Sequence, residues 1–229
     1  MPLQIHTIVS MPFQENTYIV WCDDRADALV IDPGLEPDGI LEFLDDRQLQ
    51  VAAILNTHGH ADHIAGNEAM KQRFPNAPLL IGVNETALLT DAELNMSAAF
   101  GFAIVSPPAD HVVHEGDAVE FAGVRLEVRE IPGHSPGHVV FLVRPPLAPG
   151  PTPAAGRGEK EPIVVFGGDV LFRGSIGRTD FGGGSFDVLA AGIRTKLYTL
   201  PDDTVVYPGH GPTTTTGHEK RTNAFVKIV

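Results

Sequence analysis

Four times in this chain an apolar run of strand length stops at a glycine-flanked histidine or aspartate. "VAAILN" (51–56) runs into "THGHADH", and "LEVREI" (126–131) into "PGHSPGH". "IVVF" (163–166) ends in "GGD", and "TVVY" (204–207) in "PGH". Strand ends are where a rigid scaffold collects side chains that do chemistry. Taken alone, a histidine in such a loop is an ordinary hydrogen-bonded residue, and an aspartate caps a turn. Three histidines and an aspartate in six positions, His58, His60, Asp62 and His63, resist that explanation. His134, Asp169 and His210, of the same chemical type at separate strand ends, make coincidence remote.

Neutral imidazole and carboxylate are ligands of zinc and also suit iron and manganese. In an extended loop, residues two apart point the same way, so His58 and His60 converge on one ion. Asp62 and His63 turn to the other side, where a helix begins, and reach a second. Gly59 and Ala61 keep the backbone slim enough to fold around such a pair. The other histidines carry plainer expectations. His6, His111, His114 and His218 read as strand, loop or helix residues, and His138 as a neighbour supporting the ligands.

Composition narrows the function. At 229 residues, 43% hydrophobic and 20% charged, the chain has the make-up of a globular domain with a well-buried core. Its formal charge of −13 repels polyanions, so nucleic acid is not an expected partner. The longest apolar runs are strand-sized, which leaves no membrane-spanning helix, and the start shows no secretory pattern. Cys22 stands alone and reads as a buried thiol, in keeping with a cytoplasmic protein. The sequence sets no oligomeric state.

Strands are expected at 4–10, 17–22, 27–32, 51–56, 138–144, 163–169 and 204–210. A hairpin turns at Gly123 within 118–131. Helices are expected at 38–48, 63–73, 185–200 (capped by Ser185) and 217–226. "PPLAPGPTPAAGRGEKEP" (145–162) reads as an exposed hairpin insertion. Strands alternating with outer helices make this an α/β chain of layered sheets.

The motifs "THGHADHIAG", "PGHSPGH", "GGDVLF", "GSIGRTDF" and "YPGHGPTTTTGHEKRTN" occur in that order along almost the whole chain. With them the chain resembles the metallo-β-lactamase superfamily, and within it the glyoxalase II-like hydrolases. The resemblance implies one domain over 1–229, an αββα four-layer sandwich with two divalent metal ions at one edge of its sheets. Zinc is the first expectation, with iron or manganese as the others. By the family's pattern His58, His60 and His134 hold the first ion. Asp62, His63 and His210 hold the second, and Asp169 bridges them.

Such a pair ionises a shared water that attacks an acyl carbonyl, and Asp62 acts catalytically by orienting it. A thiol leaves readily as thiolate, which favours a thioester substrate. Arg178 stands where the glyoxalase II enzymes place a glutathione-contacting lysine, so the expected substrate is S-lactoylglutathione or a related acyl thioester. The resemblance to the longer glyoxalase II enzymes covers only their first domain, as in the short bacterial type. The metallo-β-lactamases proper commonly carry Cys or Ser where Asp169 stands, which disfavours antibiotic hydrolysis. The alternative is a persulfide dioxygenase with one iron on His58, His134 and Asp169, leaving the other four ligands idle.

Overall fold

The computed structural model describes residues 3–144 and 162–228. The insertion expected at 145–162 lies, Pro162 apart, outside them.

The first half of the chain runs β1 (Leu3–Ser10), β2 (Glu15–Cys22), β3 (Asp27–Ile31), α1 (Pro37–Asp46), β4 (Gln50–Leu55), α2 (Ala61–Ile64) and α3 (Asn67–Arg73). It continues through β5 (Leu79–Gly82), α4 (Thr86–Thr90) and β6 (His111–Val113). Its six strands form one sheet in the order β1-β2-β3-β4-β5-β6, antiparallel as far as β3 and parallel from there.

The second half runs β7 (Ala118–Phe121), β8 (Val124–Glu130), β9 (Val139–Val143), β10 (Val164–Gly168) and the small hairpin β11 (Leu171–Phe172) to β12 (Ser175–Ile176). Then come α5 (Phe186–Gly192), β13 (Val205–Pro208), β14 (Thr214–Thr215) and α6 (Thr216–Thr222). Its main sheet has the order β14-β13-β10-β9-β8-β7. Ala122 and Gly123 both take positive φ between Phe121 and Val124, the two-residue turn a tight hairpin needs.

Alternation along the strands sorts their side chains into three apolar layers. Tyr18, Val20, Leu29 and Ile31 of the first sheet pack against Val128, Phe141 and Phe166 of the second. The other face of the first sheet, with Ile19, Val30 and Ile54, is covered by Ile40 and Leu44 of α1 and Met70 of α3. The other face of the second, with Val140, Leu142 and Val165, is covered by Leu189 of α5 and by Ile193 and Leu197. This is the αββα sandwich that the motifs imply. Phe141, fully buried at its centre, is a residue whose truncation to Ala would cost about 3–5 kcal/mol.

Two expected helices are interrupted. The helix foreseen over 63–73 is two, α2 and α3, because Gly66 donates to the Pro33 carbonyl and lies too close to Pro33 and Gly34 for a side chain. The one foreseen over 185–200 begins as expected, with Ser185 accepting from Val188 N, but widens into a π turn at Ile193–Leu197. Cys22 is buried and free, as expected. Among the described residues, no helix is long and apolar enough to cross a membrane.

The topology places the chemistry. β3 and β4 are parallel, so Asp32 and the 58–63 loop leave the first sheet at the same edge. β10 and β13 are also parallel, so Asp169 and His210 leave the second sheet together. β9 runs against β10, so the 134–138 loop that enters it lies at that edge too.

Candidate metal centre

Seven side chains meet where these loops leave the two sheets. His58, His60 and His134 offer ligand atoms that lie within 4.8 Å of one another, as do those of Asp62, His63 and His210. Asp169 stands between the groups. Its Oδ1 is 3.5 Å from His63 Nε2, and its Oδ2 is 3.5 Å from His134 Nε2 and 3.6 Å from His210 Nε2. Asp62 Oδ2 lies 3.3 Å from His210 Nε2 and 3.8 Å from His63 Nε2. The structure thus brings together all seven residues that the sequence singles out.

What lies behind each ring decides which nitrogen faces inward. His134 Nδ1 donates to the Arg178 carbonyl at 2.8 Å, and His210 Nδ1 to the Phe13 carbonyl at 3.1 Å. His63 Nδ1 donates to Asp32 Oδ2 at 3.1 Å. His58 Nδ1 donates to Thr57 Oγ1 at 3.1 Å, whose own hydroxyl donates to Asp32 Oδ2 at 2.7 Å. Each outer proton being committed, the inner nitrogen presents a lone pair. His58 Nε2, His63 Nε2 and Asp169 Oδ1 are buried without a hydrogen-bond partner. Buried polar atoms are costly when unpaired, so a convergent group of them is a cradle for a cation. His60 Nδ1 and His134 Nε2 approach to 2.9 Å, a hydrogen bond when His60 carries its proton on Nδ1 and one that an ion held by both nitrogens would replace. The residues fit divalent metal ions of the nitrogen-and-oxygen class.

Electrostatics divides the cluster. Burial and neighbouring imidazoles push His58 down, and burial with His134 beside it holds His60 at about 3. Burial acts the same way on His63 and His210, but the carboxylates of Asp62 and Asp169 prevail and raise both. Burial would raise Asp62 and Asp169, yet the histidines around them, His63 foremost, keep both below the usual carboxylate range.

Sequence reasoning overlooks the residues that hold this cluster in place. Asp32, in a left-handed backbone conformation (φ 48°), serves two ligands at once and also accepts from Thr57 N at 2.7 Å. Glu85, fully buried, accepts from Gly59 N at 2.8 Å and Gly137 N at 2.6 Å, tying the 58–63 loop to the 134–138 loop. Glu15 is buried 4.0 Å from His63 Nδ1. His138 sits where expected: its ring stacks on His58 at 4.7 Å and its Nε2 accepts from Asp169 N at 3.0 Å. Glycine is required at 209, since a Cβ there would strike Asp169 Oδ1 and the His63 ring. Gly59 has a different reason, because its missing Cβ makes room for Leu88 of α4 rather than for the cluster.

His60, Asp62, His134, Asp169 and His210 form the floor of an open cleft of ≈ 200 Å³. Arg178 stands on its wall, 59% exposed, with Nε and Nη2 each 2.7 Å from Asp180 and its guanidinium 4.1 Å over the Phe181 ring. The remaining histidines lie elsewhere. His6 stacks on Phe43, His114 pairs with Asp117, His111 is exposed on β6, and His218 is on α6.

The chain matches the metallo-beta-lactamase superfamily over residues 10–145 and 142–210, and it belongs to that superfamily. The class defined by fold and site together is that of the superfamily's metallo-hydrolases. Among its relatives is the hydroxyacylglutathione hydrolase GloC of Haemophilus influenzae, 35% identical over 98% of both chains. The crystal structure of the BLEG-1 B3 metallo-beta-lactamase superposes with a TM-score of 0.87 at 36% identity, covering 98% of this chain and 100% of that one. TTHA1623, solved in a di-iron-bound form, gives 0.76 at 34% identity, covering 96% and 99%.

Proposed function

We propose that the chain is a binuclear metal-dependent hydrolase of thioesters, with S-lactoylglutathione or a related acyl thioester as substrate. The observation that carries this reading is the convergence of seven inward-facing ligand atoms in two triads with Asp169 between them. Likeness to a hydroxyacylglutathione hydrolase over nearly its whole length supports the thioester. Zinc is the ion we assign first, and likeness to a di-iron protein keeps iron as its competitor.

His58, His60 and His134 would hold one ion, Asp62, His63 and His210 the other, and Asp169 both. When bound, such a pair supplies an ionised water near neutral pH and an electrophile for the substrate carbonyl. Asp62 faces the cleft, and its carboxylate orients the attacking water. Asp32, Thr57 and the Arg178 and Phe13 carbonyls keep the ligand lone pairs aimed inward. The leaving thiolate needs no protein acid, since a thiol's ordinary pKa is about 8.5. Arg178 would contact the substrate at the wall.

The test is metal quantification beside three assays on one preparation: thiol release from S-lactoylglutathione, hydrolysis of a chromogenic β-lactam, and oxygen uptake with glutathione persulfide. Up to two ions per chain and fast thiol release are expected. One iron per chain with oxygen uptake would instead make it a dioxygenase, and β-lactam turnover alone would make it a lactamase.

A further inference from the structure

The cleft has two unlike surfaces. Its floor is the ligand cluster, and its wall is apolar: Phe13, Met96, Phe100, Phe102, Ile104 and Phe181. Phe100 and Phe102 are 56% and 60% exposed at the mouth, and Phe100 meets Phe13 edge-on at 5.3 Å. Exposed aromatic side chains grouped at the mouth of a catalytic cleft mark a surface that something apolar covers.

The wall is built, not incidental. Asn95, fully buried, donates to the Leu88 and Ile104 carbonyls at 3.1 and 2.9 Å and accepts from Ser97 Oγ at 2.7 Å. Phe102 N donates to the Ser97 carbonyl. Each wall segment is also fastened to the floor through its backbone. The Phe13 carbonyl holds His210, the Arg178 carbonyl holds His134, and the Asn95 carbonyl accepts from Ala61 N at 3.0 Å, between His60 and Asp62. An apolar group on that wall is therefore held at a fixed reach from the cluster.

Charge points the same way. Among the described residues lining the cleft, Arg178 is the only lysine or arginine, and its fork is occupied by Asp180. The chain as a whole carries −13. Away from the ligand cluster, a polar or anionic acyl group finds little on this wall to hold it.

We infer that the cleft selects thioesters by an apolar acyl group, straight-chain or aromatic, laid on the Phe13–Phe100–Phe102 wall. This rests on the thioester reading above and ranks the acyl groups within it.

The experiment uses the metal-loaded full chain and N-acetylcysteamine thioesters, whose thiol carries no charge, with acetyl, lactoyl, butanoyl, hexanoyl and benzoyl groups. Thiol release should give kcat/KM rising about tenfold or more from acetyl to hexanoyl, with lactoyl near the acetyl end. In the double variant F100S/F102S, both side chains being exposed, the hexanoyl-to-acetyl ratio should shrink several-fold. Release from every ester with no rise along the series, or a ratio that the variant leaves intact, overturns this inference while the thioesterase reading stands. No thiol from any of them, nor from S-lactoylglutathione, overturns both.

Discussion

The first triad, His58, His60 and His134, is packed against rings, whereas the second, Asp62, His63 and His210, is packed against carboxylates. His58 lies among the imidazoles of His63, His60, His138 and His134, at ring separations of 4.2–4.9 Å, and His60 meets Phe181. His63 faces Asp32, Asp62 and Asp169, with Glu15 behind it. The same ligand type is thus tuned in opposite directions. Protons hardly compete for His58 and His60, and they compete strongly for His63 and His210. On the binuclear reading proposed above, the two ions would not be held alike.

Asp169 is where the two triads join, so its removal is the sharpest way to break the contrast. Asp169→Ala should cost roughly a hundred- to a thousandfold in thiol release, the scale on which loss of an electrostatic group at a reacting centre acts. It should also lower the metal content of both positions. An ion count and rate near those of the unaltered chain would remove Asp169 from the bridging role.

Acid should separate the triads. His63 and His210 are raised, so they take up protons at a higher pH than an ordinary histidine, while His60, held at about 3, remains neutral. Lowering the pH from about 7.5 to about 5.5, across the ordinary histidine range, should therefore release one ion before the other. The second triad's ion leaves first, and hydrolysis falls with it. Metal retained after desalting at each pH reads this directly. Simultaneous loss of both ions, or earlier loss from the first triad, contradicts the electrostatic difference.

Asp32 and Glu85 sharpen the comparison at a smaller scale. Asp32→Asn weakens the anchor of His63 directly and that of His58 only through Thr57. Chelator competition should show about 10- to 100-fold weaker retention, greater for the second triad. Glu85→Gln leaves one of two buried N–H groups, Gly59 or Gly137, without its acceptor. It should destabilise by about 1–3 kcal/mol, seen as a lower unfolding midpoint. Equal retention in both triads of Asp32→Asn would show that the two share one support.

These supports mark the limit of what the sequence makes legible. The candidate ligands are readable because metal chemistry would confine them to residues such as His and Asp, and strand ends give them glycine neighbours. Asp32 stands in "IDPG", the same strand-end grammar, and could have been read alongside "GGD" and "YPGH". Glu85 in "VNETALL" carries no such signal, because its task is to hold backbone groups that only the fold brings together. The layered sheets are legible through alternation. The break at Gly66 is not, since it depends on Pro33 and Gly34, more than thirty residues away. Nor is the aromatic wall, whose Phe13, between β1 and β2, and Phe100, between α4 and β6, lie far apart in sequence and meet only in the fold.

Arg178 carries the smallest expected effect, and it tests the rim against the cluster. Its guanidinium is largely exposed and already holds Asp180, so any contact with a substrate carboxylate replaces one ion pair by another in water. Arg178→Ala should therefore raise KM for S-lactoylglutathione by about two- to fivefold and leave kcat nearly unchanged, since uniform binding is what a rim charge supplies. The His134 anchor is unaffected, because it uses the Arg178 carbonyl rather than its side chain. N-acetylcysteamine thioesters, with no carboxylate to grip, should show no comparable rise. An equal rise for both thiols would mean that Arg178 acts through its packing on Phe181, and glutathione recognition would then have to come from other residues of the cleft.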